Sequence, residues 1–231
     1  MHRVLRRSLA LVMLAAILLS TGCVGAPRPD GPGRDGSETP ASLPRAEVEE
    51  YEGADLSSID DFRENSIAGP QQVDRDSYRL GIVGLVSAPA ELSYDDVLAG
   101  RTYRKVVTLD CVEGWSVDIL WEGVLMSDLI ESAGPLGSAD TVILRAVDGY
   151  STSVPLEYVY DNDILLAYSM NGVELPPERG FPFQLVAEDK WGYKWIKWVD
   201  EIELSDDPTY RGYWESRGYS NSGDRDDSFR D

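Results

Sequence analysis

The stretch Thr108 to Ser116, TLDCVEGWS, sets Cys111 between a short apolar run and Trp115, with Asp110 and Glu113 as its nearest ionisable neighbours. A thiolate is a soft donor for transition metals and is also the species that reacts as a nucleophile. The two uses want different surroundings. A nucleophile is helped by a base or a cation, whereas the carboxylates of Asp110 and Glu113 disfavour the thiolate. A high-valent metal reverses that balance, because the ion deprotonates the thiol outright. A buried, unreactive thiol is the third reading, since free cysteine is often simply core. One thiolate cannot hold a metal ion by itself, so a ligand Cys111 requires a prosthetic group to supply the rest of the coordination.

The remaining inventory narrows the chemistry. The only histidine is His2. If the first segment is removed as an export signal, catalysis by Ser-His-Asp or Cys-His, histidine-ligated zinc and histidine-ligated haem are all excluded. With 41 acidic against 21 basic side chains the formal charge is −20, which repels phosphate backbones and anionic lipid at long range, so nucleic acid is not an expected partner. The 231 residues are 42% hydrophobic, enough to bury the core of one sizeable domain with extra segments.

The N-terminus carries Arg3, Arg6 and Arg7, an apolar run from Leu9 to Leu19 and small residues ending at Cys23, the grammar of a secretory signal. Gly22-Cys23 resembles a lipoprotein processing box in which Cys23 is lipidated, although Ser20 stands where such boxes usually carry leucine. An uncleaved helix over Ser8 to Ala26 is the alternative anchor. Arg6-Arg7 also reads as a twin-arginine signal, the address of proteins exported already folded. Residues 1–23 are therefore expected to anchor the protein on the extracytoplasmic face of a membrane. Residues 24–56, rich in Pro, Gly and acid, are expected to form a flexible stalk, 57–220 the domain, and 221–231 a loosely held polar tail.

Within the domain, the pattern predicts a strand over 78–86, a helix after Ser93 as N-cap, a second strand over 104–109 leading into Cys111, and a helix capped by Ser127 and stopped by Gly134. A strand over 141–147, a short helix begun by Pro155 and a hairpin at Asn171-Gly172 follow. FQLVA and WIKWVDEIEL read as two further strands. Short strands interleaved with short helices predict an α+β domain. The lysine-aromatic run Lys190 to Trp198 reads on pattern alone as an amphipathic strand with solvated lysines. Most of Trp115, Trp121, Trp191, Trp195, Trp198 and Trp214 are expected in core or rim packing.

The segments LDCVEGWS, WEGVLMSDLIESAG, VDGYSTSVPL, MNGVELPPERGFPFQLVAEDKWGYKWIKWVDEIEL and RGYWESRGYS resemble, in order, the molybdopterin-binding domain of the sulfite oxidase family, over about Ser58 to Ser220. The resemblance is closest to the small prokaryotic members. It implies a fold of mixed β-sheets with short helices and a molybdenum-molybdopterin cofactor, fixed to the protein by one thiolate at Cys111. It implies contact with the pterin phosphate by Gly192, Tyr193 and Lys194, with Lys197 as a further candidate. Asn65 and Ser66 stand where members have a cofactor-binding segment. Gln184 occupies a position where the family often has arginine, and a neutral amide cannot offer a cationic fork to sulfite; Arg179 lies near enough in sequence to compensate. Arg145 and Tyr150 are candidates for substrate contact and proton donation. The expected activity is two-electron oxygen-atom transfer on a small-molecule substrate, with electrons passed to an external carrier or a membrane redox subunit, since the chain has no haem attachment motif. Two rival expectations are a cofactor-free cell-surface adaptor on the same fold and a thiol-based redox protein.

Overall fold

In the computed structural model, residues 46–231 are described. Residues 50–55 form a small hairpin of β1 (Glu50–Tyr51) and β2 (Ala54–Asp55). The stalk expected over 24–56 thus ends in ordered backbone from residue 46, where Val48 N–H donates to Asn171 O at 2.9 Å. The anchor segment and the rest of the stalk lie outside the described residues.

Among the described residues there are twelve strands and three short α-helices. One five-stranded sheet joins β5 (Thr102–Asp110), β6 (Ser116–Leu125), β9 (Leu165–Met170) and β10 (Val173–Glu174) in the order β10-β9-β6-β5, with β11 (Gln184–Val186) also pairing β9. The other runs β4-β3-β12-β7-β8, from β3 (Leu80–Gly84), β4 (Ala90–Leu92), β7 (Thr141–Ala146), β8 (Ser151–Pro155) and β12 (Val199–Ser205). Only β3 and β12 pair in parallel among these strands. The α+β expectation holds, and the sheets are mixed as the resemblance implied.

The sequence patterns located most elements but not the short β1, β2 and β4, nor the long β6 and the β8 of the core. In β6 the run Ile119-Leu120-Trp121 is buried on both faces, so the alternation that marks a half-solvated strand is absent. β8 is similarly buried at Thr152, Ser153 and Val154, where two polar residues disguise a core strand. The helix α2 (Met126–Ala133) buries Met126, Leu129, Ile130 and Ala133, one stripe at helical spacing, and packs on β6 and β3. Its N-cap is Leu125 without a side-chain cap bond, so the assignment of Ser127 as cap is corrected; β6 runs straight into the helix and leaves no room for a capping turn. Gly134 does end it, in the left-handed conformation. α1 (Tyr94–Leu98) has the expected cap, with Ser93 and Asp96 in a reciprocal capping box, and α3 (Leu156–Asp161) follows Pro155.

The two sheets share a core that includes Trp121, Ile119, Leu144, Phe183 and Ile202, all without exposure. Trp121 donates its indole N–H to Val107 O at 3.2 Å, which satisfies the one polar atom it buries. The run Trp195 to Trp198 is not strand: a 3₁₀ turn at Gly192–Lys194 precedes it and β12 begins only at Val199. The lysines there are not solvated either, since Lys190 and Lys194 are buried. The C-terminal segment, expected to be loose, is docked. Gly223 O accepts from Trp191 N–H at 2.8 Å, Asp224 pairs with Lys190, and Arg225 reaches Asp110 at 3.0 Å.

Candidate functional site

Cys111 stands where β5 turns into β6. Its N–H donates to Trp115 O at 2.9 Å, and its carbonyl accepts from Gly114 N–H at 3.0 Å. Gly114 has φ +88°, a left-handed conformation that glycine adopts without steric cost and that lets this tight connection close. The side chain lines a cavity of about 300 Å³ between the ends of the two sheets, at the lower end of the usual ligand-pocket range of roughly 300–1,000 Å³.

Most residues singled out from the sequence converge there. Cys111, Asn65, Ser66, Tyr150, Arg179, Gln184, Gly192, Tyr193 and Lys197 all line the cavity, together with Trp115, Trp195, Trp198 and Trp214. Asn65 points its amide at the sulfur, Nδ2 to Sγ 3.8 Å, and also to Glu113 Oε2 at 3.3 Å. Burial pushes the Cys111 thiol above its ordinary range; the Glu113 charge adds to that, while the Glu113 backbone N–H and the Asn65 amide oppose it. No cation or base touches the sulfur among the described residues, which argues against the nucleophile reading.

Two expected residues are elsewhere. Lys194 does not line the cavity. The 3₁₀ turn directs its side chain inward, where Nζ meets Glu215 Oε1 at 2.6 Å and Ser153 O at 2.9 Å with no exposure of either partner side chain. Direct phosphate contact by its ammonium is therefore corrected to a role in the wall behind the turn. Arg145 lies on β7 beside a second depression, where it bridges Glu201 at 2.7 Å and Glu203 at 2.5 Å. Two carboxylates on the neighbouring strand claim the guanidinium, so a substrate contact in the Cys111 cavity is corrected too.

Others line the cavity with their polar heads already engaged. Tyr150 donates its hydroxyl to Tyr193 O at 2.5 Å, and burial, followed by the Glu215 charge, drives its phenol well above the usual range. Its hydroxyl hydrogen is committed to a backbone carbonyl and its acidity is reduced, so the arrangement does not favour its assignment as proton donor. Tyr193 donates to Ser220 O at 2.8 Å. Arg179 binds the carbonyls of Ile59 and Phe62, and Lys197 pairs with Glu64 at 2.6 Å.

What remains uncommitted fits the cofactor that the resemblance implies. Ser66 Oγ is buried with no partner. The Gln184 amide and the Arg63 guanidinium line the cavity without a hydrogen bond or ion pair among the described residues. At Gly192 an added Cβ would come within 3.3 Å of Asp110 O and 3.6 Å of Cys111 Cα, so glycine lets this turn pack tightly on the strand end that carries Cys111. Among the described residues no group of three or more His, Cys, Asp or Glu could hold a metal ion. Any ion bound through Cys111 must therefore bring its other ligands with it. Sequence reasoning missed Arg63, Asp148 and the Glu64, Glu178 and Glu215 carboxylates that frame or back the cavity, because acidic residues are frequent throughout this chain and carry no local signal.

A profile of the oxidoreductase molybdopterin binding domain matches residues 67–214. The chain is 38% identical over 156 residues to the uncharacterized oxidoreductase YuiH of Bacillus subtilis (strain 168), covering 67% of this chain and 78% of that protein. It is 29% identical over 188 residues to mitochondrial sulfite oxidase of Homo sapiens, covering 68% of this chain but only 34% of the longer enzyme. Among solved structures, the sulfane dehydrogenase SoxCD from Paracoccus pantotrophus superposes with a TM-score of 0.58 at 25% identity, over 60% of this chain and 41% of that one.

Proposed function

Because the chain belongs to the oxidoreductase molybdopterin-binding domain family of sulfite oxidase type, whose cofactor is molybdenum-molybdopterin, we propose that it is an extracytoplasmic oxygen-atom transferase with Cys111 as the one protein ligand of the metal. The observation that carries this reading is the Cys111 sulfur, open to a cavity that holds unpartnered polar groups, and touched by an amide donor but by no base among the described residues. When bound, the cofactor supplies the two-electron redox chemistry.

The chain's own residues bind, orient and enclose. Asn65 donates toward the Cys111 sulfur and favours its charged form. Ser66, Gln184 and Arg63 offer hydroxyl, amide and guanidinium to polar parts of the cofactor or substrate, and Gly192 lines the cavity with bare backbone packed against that of Asp110 and Cys111. Trp115, Trp195, Trp198 and Trp214 exclude water from the cavity, which strengthens each of these contacts. Tyr150 holds its proton on Tyr193 O and so contributes a neutral wall.

Glu113, Asp148 and Glu178 also line the cavity, and Gln184 is neutral. These favour a substrate of low negative charge over the sulfite dianion. Electrons pass to an external carrier or a membrane redox subunit, and the N-terminal segment tethers the domain outside the cytoplasm through lipidated Cys23 or an uncleaved helix. The test is metal content and an electron paramagnetic resonance spectrum of protein from a host that makes molybdopterin, beside Cys111→Ser. Molybdenum in the parent and its loss, with activity, in the variant is expected. Equal molybdenum in both would remove Cys111 from the metal's coordination.

A further inference from the structure

The segment 57–67, SSIDDFRENSI, forms neither helix nor strand, yet it is one wall of the Cys111 cavity and carries Asn65 and Ser66. A segment without a backbone ladder is held by side chains or not at all. Its start is held by Asp118 and Asn171 on Ser57 and by Glu47 on Ser58 and Ile59; the stretch that reaches Asn65 is gripped from across the cavity. Arg179, in the 3₁₀ turn Pro177–Arg179, donates from Nε to Ile59 O at 2.9 Å and from Nη2 to Phe62 O at 2.7 Å, with its guanidinium 3.8 Å from the centre of the Phe62 ring. The side chain is buried and makes no ion pair among the described residues, so its donors serve backbone carbonyls rather than a carboxylate. Two residues beyond Phe62, Lys197 grips the same segment through Glu64 at 2.6 Å while its ammonium lies 4.3 Å from the Trp198 ring. The next residue is Asn65, whose amide reaches the Cys111 sulfur and Glu113 and makes no other hydrogen bond among the described residues.

We propose that Arg179 is a positioning residue for the Cys111 sulfur: it latches the 59–62 backbone, and through that latch Asn65 is presented to Cys111. Lys197 is the second and weaker latch, because it fastens one side chain of the segment rather than its backbone. Lysine cannot replace Arg179, since one ammonium does not span two carbonyls and stack on a ring together. The proposal gives Arg179 no contact with substrate or cofactor, and it rests on the functional reading above only for what the oriented sulfur then holds.

The test uses the full chain made in a host that lacks molybdopterin, so its outcome is independent of metal content. Hydrogen exchange of the 59–66 amides in Arg179→Met and Arg179→Lys is expected to rise by roughly tenfold or more, because each bond from a charged donor contributes on the order of one such factor. Protection in β6 and β9 is expected to stay at the parent level, Glu64→Gln to give a smaller rise, and Arg104→Met, on the far side of β5, none. Alkylation of Cys111 by a neutral reagent is expected to slow in Asn65→Ala and in Arg179→Met, because each loses the amide that donates to the reactive sulfur, and the double variant to match Asn65→Ala alone. That non-additivity separates positioning from general support of the fold. Unchanged exchange in both Arg179 variants overturns the latch, and a double variant whose rate multiplies the two single effects overturns the route through Asn65. If Arg179→Met fails to fold, Phe62→Leu, which removes the stacked ring and leaves the arginine, replaces it in both measurements.

Discussion

The Lys194 ammonium lies 2.6 Å from Glu215 Oε1, and neither side chain has any solvent exposure. The same oxygen accepts from Thr152 Oγ1 at 2.5 Å, while Glu215 Oε2 is buried without a partner. A carboxylate so placed depends on its cation. Lys194→Met is expected to cost about 3–5 kcal/mol by stranding the Glu215 charge, and adding Glu215→Gln to recover most of that loss. Urea unfolding of the three variants checks it. A fall in molybdenum content with stability intact would mean instead that the ammonium works in the cavity.

Gly192 packs its Cα side against the end of β5, where a Cβ would press on Asp110 O at 3.3 Å. Gly192→Ala is expected to cost about 1–3 kcal/mol by overpacking and to lower molybdenum per protein, because the strain falls on the backbone that carries Cys111. Metal analysis beside thermal unfolding reads both effects, and full metal occupancy would show that the turn has room to yield.

The C-terminal segment is fastened by Asp224 on Lys190. Burial raises the Asp224 carboxyl, but its hydrogen bond and charge pairing with Lys190, together with the Ser222 hydroxyl, bring it to a net value below the ordinary 3.8. A carboxyl depressed in the folded state stabilises fully above the unfolded value and loses that contribution as pH falls through the folded one. The Tm gap between the parent and Asp224→Asn is therefore expected to be largest above pH 3.8 and to close in more acid solution. A gap independent of pH would point to packing rather than charge.

Arg145 is expected to be dispensable for the chemistry. Its two carboxylate partners are on β12 and all three side chains are about one-third exposed. Arg145→Met is expected to change stability by up to about 1 kcal/mol, and to leave molybdenum content and turnover as in the parent. A large fall in turnover would return this arginine to the reaction.

The fold was legible wherever an element met water on one side. α1 announced itself through Ser93 and Asp96, and the turn after β9 through Asn171-Gly172, because caps and turns are set by a few adjacent residues. β6 and β8 were not legible, since a strand buried on both faces loses its alternation. The wall of the cavity was half legible. Asn65 and Ser66 were found through the resemblance, but the latch of Arg179 on Ile59 and Phe62 spans more than one hundred residues and leaves no local mark.

By itself the sequence determined the family, the α+β class and the place of Cys111 at the end of an apolar run, for these follow from residue types and their order. Only the tertiary structure decided where the cations go. Lys194, Lys197, Arg145 and Arg179 each had a plausible anion to seek, and every one spends its charge on a carboxylate or carbonyl of the protein. The physical reason is that a long side chain rotates to the acceptor that best repays its desolvation, and which acceptor that is depends on chain segments brought together only by folding.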